Sequence, residues 1–330
     1  MLCLVDREQE AEKMYDIGFD LGGTKMAAGL VDDKGKVISQ VKEKLGKITQ
    51  VDSVVEQMVE LLSGLLMKAG VKASDVRTAG VAVPGILDRK RGKVMMSPNL
   101  GFDNYPLVEK IQKHHRFPIV LENDVNAGLW GEYALNLPQY QHVLGVFPGT
   151  GIGGGLIING KLYRGASGNA GEVGHITLQR EGPLCGCGQL GHLEALASRT
   201  AMAKDAAFLI STGRLPKELE EFGTDFRNIS SKFFALGLKM RQPDVMGIID
   251  RSIEWMGLGL ASMINILDPE IVVLGGGLVD KLGDYYVKKV ESSMKSHAMP
   301  GIGGNVKVVQ AKLGDDAAII GSALLAREQS

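Results

Sequence analysis

Three cysteines in 330 residues are too few for a disulfide framework and point to a reducing compartment. No apolar run reaches membrane-spanning length, and residues 1–5 are too briefly apolar for a signal sequence. Neither sign of charge is in excess. Lys and Arg number 37 against 38 Asp and Glu, for a net charge of −1 and a pI near 6.6, which argues against a nucleic-acid or membrane surface. The tight basic run Arg89-Lys90-Arg91 with Lys93 lies between apolar residues 81–87 and 94–96 and reads as a solvated hairpin turn. G-x-x-x-x-G-K-[ST] is absent, which excludes a P-loop. What remains is a cytoplasmic protein acting on small molecules. Its hydrophobic content of 45% and charged content of 23% are those of a globular chain, and its length suits two domains.

Glycine, by contrast, is concentrated. Residues 143–155, VLGVFPGTGIGGG, begin as a buried strand and then place five glycines in seven positions. Backbone N–H groups left uncovered in this way can close around an anion, most often a phosphate. Gly149, Gly151 and Gly154 also satisfy G-x-G-x-x-G, with Glu172 near the distance where a dinucleotide fold wants an acid. That motif needs a helix next. Here an apolar run with an Asn159-Gly160 turn follows, which predicts a β-hairpin and rules out the nicotinamide reading. A second copy lies near the start: Asp20-Leu21-Gly22-Gly23-Thr24-Lys25 follows a short strand and runs into a hairpin turning at residues 32–35. Shifted by 126 positions, Thr24 falls on Thr150 and Gly29 on Gly155. Two such units predict two domains of related fold that grip a nucleotide from both sides.

Further along, residues 37–44 complete a meander. Residues 52–69 have helical spacing, opened by Asp52 or Ser53 and closed by Gly70. Strands are expected at 78–83 and 118–121. The first ends in Pro84-Gly85, the kind of stop that opens a binding crevice in α/β folds. Asn99 reads as a turn residue or a hydroxyl binder. Asn123 or Asp124 either caps the helix that follows, or Asp124 accepts a proton from an attacking alcohol. Cys185 and Cys187, flanked by His175 and His192, suit tetrahedral zinc, although two thiols in a glycine loop is the plainer alternative. Helices are expected over 195–210, 229–240, 244–267 and 317–327, with strands at 271–274 and 306–309.

In combination these motifs resemble the ROK family of sugar kinases and repressors. They are residues 20–25, 122–128, 149–155, 172–175, 185–194 and 274–277, in the family's order, and the likeness covers nearly everything from Tyr15 to Arg327. The resemblance implies an α/β, two-domain actin/hexokinase/Hsp70-like ATPase fold of duplicated ribonuclease H-like units with an interdomain cleft. Residues 1–13 would be an N-terminal extension and 14–125 an N-terminal domain closed in part by a C-terminal helix at about 315–330. Residues 126–314 would form a C-terminal domain carrying a zinc-type loop at 175–194.

Roles follow from the same resemblance. Asp20, Gly22, Gly23, Thr24 and Lys25 would form the first phosphate loop, with Asp20 near magnesium. Gly149, Thr150 and Gly151 would form the second, and Gly276 and Gly277 would border the adenosine of ATP. Asn99, Asn123, Asp124, Glu172, His175 and Glu194 would hold sugar hydroxyls, with Asp124 as the catalytic base. His175, Cys185, Cys187 and His192 would hold a structural Zn²⁺. Most zinc-bearing members have cysteine at the position of His192, and histidine is itself a good ligand. The implied activity is transfer of the γ-phosphate of ATP to the 6-hydroxyl of a hexose. Glucose comes first, then N-acetylglucosamine or N-acetylmannosamine. A homodimer is the family's common state. A sugar-responsive repressor of the same family would carry a DNA-binding module ahead of the first strand, where about fourteen residues stand. A non-catalytic sugar sensor is the third reading, against which the two intact loops and Asp124 weigh.

Overall fold

The computed structural model describes residues 14–46 and 50–329; the extension expected at 1–13 lies outside the described residues. The chain divides into two compact units, residues 1–131 with 316–330, and residues 132–315.

In the first unit, β1 (Tyr15–Leu21), β2 (Lys25–Val31) and β3 (Val37–Lys44) form the expected meander. The helix α1 (Val51–Ala69) follows, then β4 (Val76–Val83). A small antiparallel sheet comes next, made of β5 (Ile86–Asp88), β6 (Lys93–Ser97) and β7 (Phe102–Tyr105). After α2 (Leu107–Gln112) come β8 (Ile119–Asn123) and α3 (Asp124–Asn136), within which the chain passes into the second unit. The main sheet has the order β3-β2-β1-β4-β8, with β1, β4 and β8 parallel.

The apolar face of α1 is the one its spacing predicts: Val54, Val55, Met58, Leu61, Leu62, Leu65 and Leu66 are all buried. Gly70 ends it in the left-handed conformation. Its start differs from expectation. The helix begins at Val51 with no side-chain cap, because the Asp52 carboxylate instead accepts from the Tyr105 hydroxyl and from Lys110 Nζ at 3.0 Å.

The second unit repeats the scheme. Its sheet has the order β11-β10-β9-β12-β13, built from β9 (Val143–Pro148), β10 (Ile152–Ile158), β11 (Lys161–Tyr163), β12 (Ile271–Leu274) and β13 (Lys307–Gln310). β9 to β11 are antiparallel and β9, β12 and β13 parallel, matching the first sheet strand for strand. Asn159 and Gly160, with φ of 53° and 69°, make the two-residue turn that the Asn-Gly pair predicts.

The helices are α4 (Leu193–Ala197), α5 (Arg199–Ser211), α6 (Lys217–Glu220), α7 (Ser231–Lys239), α8 (Pro243–Leu267) and α9 (Val279–His297). The short α6 is not anticipated by the sequence reading, and two larger departures stand beside it. The helix expected over 195–210 is broken at Ser198, whose backbone is extended and whose hydroxyl accepts from the Ala201 N–H and so starts α5. The helix α9, with Val279, Leu282, Tyr286, Val287, Val290 and Met294 buried, is not anticipated at all.

The last helix, α10 (Ala317–Gln329), belongs to the first unit. Ile319 and Ala323 pack with Ala27 and Val31 of β2, and Arg327 donates to Asp16, which is fully buried on β1. The helix also crosses α3 at very close range. A Cβ on Gly321 would lie 1.7 Å from the carbonyl oxygen of Ala127, so no larger residue fits there.

Candidate active site

In the first unit Asp20, Asn123 and Asp124 lie at the carboxyl ends of the parallel strands β1 and β8. Asp20 is near the end of β1 and half-buried. Gly22, Gly23 and Thr24 form the turn to β2, closed by the Gly22 N–H on the Lys25 carbonyl at 3.0 Å. Lys25 opens β2 with its side chain exposed. Asn99 follows β6, with its Cβ 3.7 Å from where a Cβ on Gly23 would stand, so the first glycine loop and Asn99 are neighbours. Asn123 ends β8 and Asp124 begins α3.

The choice between cap and base is resolved in part by hydrogen bonds. Asn123 Oδ1 accepts from the N–H groups of Val125 and Asn126 at 3.0 and 3.1 Å. The cap is therefore Asn123, with the half-buried Asp124 beside it at the start of α3. Behind this pair stands Glu122, 1% exposed. Its Oε1 accepts from the Asn123 N–H at 2.9 Å and from Arg89 Nε and Nη2 at 2.9 and 2.6 Å. Arg89 is thus not the solvated turn residue that its basic run suggests. It ties the small sheet, which carries Asn99, to the end of β8.

In the second unit the loop 149–151 turns its carbonyls inward. Gly149 O accepts from the Arg199 N–H at 2.9 Å and Gly151 O from the Gly149 N–H at 2.8 Å. Thr150 O accepts from the Thr200 hydroxyl at 2.6 Å. The Gly149 N–H is spent inside the loop and all three carbonyls are engaged, which leaves the N–H groups of Thr150 and Gly151 as those an anion would meet. Gly276 and Gly277 adjoin it: a Cβ on Gly276 would be 3.0 Å from the Pro148 carbonyl oxygen, and the Leu278 N–H donates to that same oxygen at 3.3 Å.

Glu194, in the first turn of α4, meets the loop from the other side. Its Oε2 accepts from the Ile152 N–H at 3.0 Å, and a Cβ on Gly151 would sit 2.1 Å from that oxygen. Its Oε1 accepts from the Cys185 thiol at 3.3 Å. Glu172 and His175 flank a single turn, with Val173 between them buried against β10.

His175, Cys185, Cys187 and His192 converge, their ligand atoms all within 4.8 Å of one another. His175 Nδ1 and His192 Nδ1 are 3.3 Å apart. Cys185 Sγ is 3.7 Å from the first and Cys187 Sγ 3.3 Å from the second. Ligands bound tetrahedrally to zinc at ordinary bond lengths stand about 3.3–3.8 Å from each other, so the donor set has the chemistry and spacing for that ion. His175 Nε2, on the outer side of the ring, is 3.9 Å from Glu172 Oε2, near but beyond hydrogen-bond reach. Burial above all pushes the Cys185 thiol up to about 11, a cost that a bound cation would reverse.

Sequence reasoning did not find Arg199, Glu122 or Arg89. Their partners lie 49, 33 and 33 residues away, beyond any local pattern. Among the described residues no helix is long and apolar enough to cross a membrane.

Comparison with known proteins agrees with this geometry. A glucokinase from Streptomyces coelicolor is 34% identical over 319 residues, covering 94% of this chain and 97% of that protein. A ROK family glucokinase from Streptomyces griseus, solved in complex with glucose and AMPPNP, superimposes with a TM-score of 0.82. It is 31% identical over 95% of this chain and 99% of that one. A xylose repressor from Caldicellulosiruptor bescii is 28% identical, covering 92% of this chain and 76% of that protein. The family model described as ROK matches residues 16–329. With paired glycine loops on duplicated sheets and a match over nearly its whole described length, the chain belongs to the ROK family and has its actin/hexokinase-like ATPase fold.

Proposed function

We propose that this protein is an ATP-dependent hexose kinase that transfers the γ-phosphoryl group to the 6-hydroxyl of glucose. The observation that carries the reading is the division of labour between Asn123 and Asp124. Asn123 caps α3 through its side-chain oxygen, and the half-buried Asp124 places a carboxylate beside it at the first helical position. A hydroxyl attacking phosphorus needs such a base within hydrogen-bond reach. The glucokinase relatives, one of them bound to glucose and an ATP analogue, support glucose over the N-acetyl hexosamines and the kinase over the repressor.

In the first unit, Asn99, Asn123 and Asp124 hold and orient the sugar, and Asp124 takes the proton of the attacking hydroxyl. Gly23 and Thr24 offer N–H groups and a hydroxyl to the phosphates, and Gly22 closes the turn that presents them. Asp20 offers the carboxylate oxygen that a hard divalent cation takes. Magnesium, when bound, draws off the negative charge of the nucleotide's phosphates. In the second unit, the loop of Gly149, Thr150 and Gly151 cradles the phosphates, with the Thr150 and Gly151 N–H groups as donors, and Gly276 and Gly277 flank the adenosine. Glu172, His175 and Glu194 read sugar hydroxyls. The cluster of His175, Cys185, Cys187 and His192 would hold a structural zinc with no open position. Its effect would be to fix Glu194, which accepts from the Cys185 thiol, and Glu172, which shares a single turn with His175.

The test is ADP release by purified protein with magnesium-ATP over a panel of hexoses and N-acyl hexosamines, in wild type and Asp124→Asn. Glucose should stimulate release most. Asp124→Asn should lose about 10²–10⁴ in rate while still binding glucose. No stimulation by any sugar sinks the kinase reading, and near-normal turnover by Asp124→Asn removes that residue as the base.

A further inference from the structure

The break at Ser198 has a chemical outcome. It ends α4 and restarts the chain as α5, so that Arg199 stands at the first position of a thirteen-residue helix, directly against the second glycine loop. Its N–H holds the Gly149 carbonyl at 2.9 Å, and its Nη2 donates to Thr150 Oγ1 at 2.6 Å. The neighbouring Thr200 hydroxyl holds the Thr150 carbonyl. Arg199 is half-buried, and among the described residues no carboxylate pairs with it. A guanidinium has five N–H donors in a fixed fork. One is spent on Thr150, and among the described residues the remaining fork has no side-chain acceptor, although it adjoins a loop whose carbonyls are already engaged.

We propose that Arg199 is a further catalytic residue, contacting the terminal phosphoryl group of the nucleotide as it is transferred. The inference rests on the kinase reading above. In that reaction the sugar oxygen forms a bond to the γ-phosphorus as its proton passes to Asp124. The bond from the γ-phosphorus to the β–γ bridging oxygen breaks, and its electron pair leaves on ADP. Charge grows on the bridging oxygen and is spread over the γ-phosphoryl oxygens. A planar cation with two parallel N–H groups matches such oxygens, and donors aimed at developing charge act on the rate more than on ground-state binding. The contact with Thr150 serves the same end. Because Thr150 Oγ1 accepts from Arg199, its own proton is turned away from the guanidinium and is available to a phosphate oxygen.

The rival role is purely mechanical, with Arg199 serving only to hold Thr150. Arg199→Gln separates the two, since a carboxamide can still donate to the Thr150 hydroxyl but carries no charge. Turnover should be measured at saturating glucose and magnesium-ATP for wild type, Arg199→Gln and Arg199→Lys. Calorimetric titrations of glucose, ADP and ADP with aluminium fluoride accompany it, the last as a mimic of the phosphoryl group in flight. Arg199→Gln should lose about 10²–10³ in kcat. Its affinity for ADP–aluminium fluoride in the presence of glucose should fall in parallel, with glucose and ADP affinities within a few-fold of wild type. Arg199→Lys should recover part of the rate. If Arg199→Gln turns over like wild type, or loses glucose and ADP affinity as steeply as affinity for the mimic, Arg199 is a loop strut and the proposal falls. A wild type with no sugar-stimulated turnover overturns the kinase reading and this proposal together.

Discussion

Gly321→Ala probes how the scaffold holds the proposed base. The added Cβ would stand 1.7 Å from the Ala127 carbonyl oxygen, and real Cβ contacts essentially never fall below 3.0 Å. The two helices must therefore separate by about 1.3 Å at this point, because packed backbone cannot yield as a flexible side chain would. Two costs follow. Overpacking of this kind typically costs about 1–3 kcal/mol, and each kcal/mol lowers the melting temperature by roughly 2–4 °C in a unit of this size. The second cost is catalytic. Ala127 is three residues from Asp124, in the first turn of α3, so a shift of α3 carries the base with it. A displacement near 1 Å can cost on the order of 10² in rate. The assay pairs a thermal melt with kcat for glucose, and Gly64→Ala is the control. Gly64 lies within α1 with nothing within 4 Å of an added Cβ, so alanine there should stabilise by up to about 1 kcal/mol without touching the rate. A Gly321→Ala protein with wild-type melting and wild-type turnover would refute the reasoning, since the helices would then have room to spare.

Three other outcomes are expected. Arg89→Met strips the guanidinium from a Glu122 that is 1% exposed. It should cost about 3–5 kcal/mol in chemical denaturation, partly restored by adding Glu122→Gln; a loss below about 1 kcal/mol would mean that the pair is effectively solvated. His115 is buried against Phe117, with Val59 O 3.4 Å from its Nε2. Burial holds its pKa below the usual 6.5, with the Val59 contact opposing. The unfolded chain therefore binds the proton first, and stability should fall as pH drops below about 6.5. His115→Gln should remove that part of the slope, and a wild-type-minus-variant difference that stays flat between pH 7.5 and 5 would contradict it. Protein purified without added metal should contain about one zinc per chain. Removing it, or Cys187→Ser, should weaken glucose binding far more than ATP binding, whereas metal-free protein with unchanged glucose affinity would leave the cluster a packed loop.

The parts of the molecule legible in the sequence are those with a local signature. The two glycine loops each follow an apolar strand and precede a hairpin, and that repeat already contains the matched sheet topology. The Asn159-Gly160 turn and the buried face of α1 were legible for the same reason, because each depends on residues a few positions apart. Where the reading failed, long-range contacts or one backbone angle decided. The break at Ser198 is invisible to helical spacing, since apolar residues keep their period on both sides and only the Ser198 cap on the Ala201 N–H reveals it. The helix α9 has a correctly spaced apolar face, but Gly283, with φ of 55°, interrupts it amid many charged residues. Arg89 in a basic run looks solvated until Glu122 arrives from 33 residues on.

The first unit is made of two stretches of chain, residues 1–131 and 316–330, with all of the second unit between them. On a ribosome this has a cost in time. Synthesis proceeds at about 5–20 residues per second, so α10 emerges roughly ten to forty seconds after α3. Through that interval the buried Asp16 lacks Arg327, and the apolar face formed by Ala27 and Val31 lacks Ile319 and Ala323. The earliest strands to leave the ribosome are thus among the last to be covered. Nascent chains of this protein carry an open sheet face for as long as the second unit is being made, and it is there that a chaperone, or a neighbouring nascent chain, would find its footing.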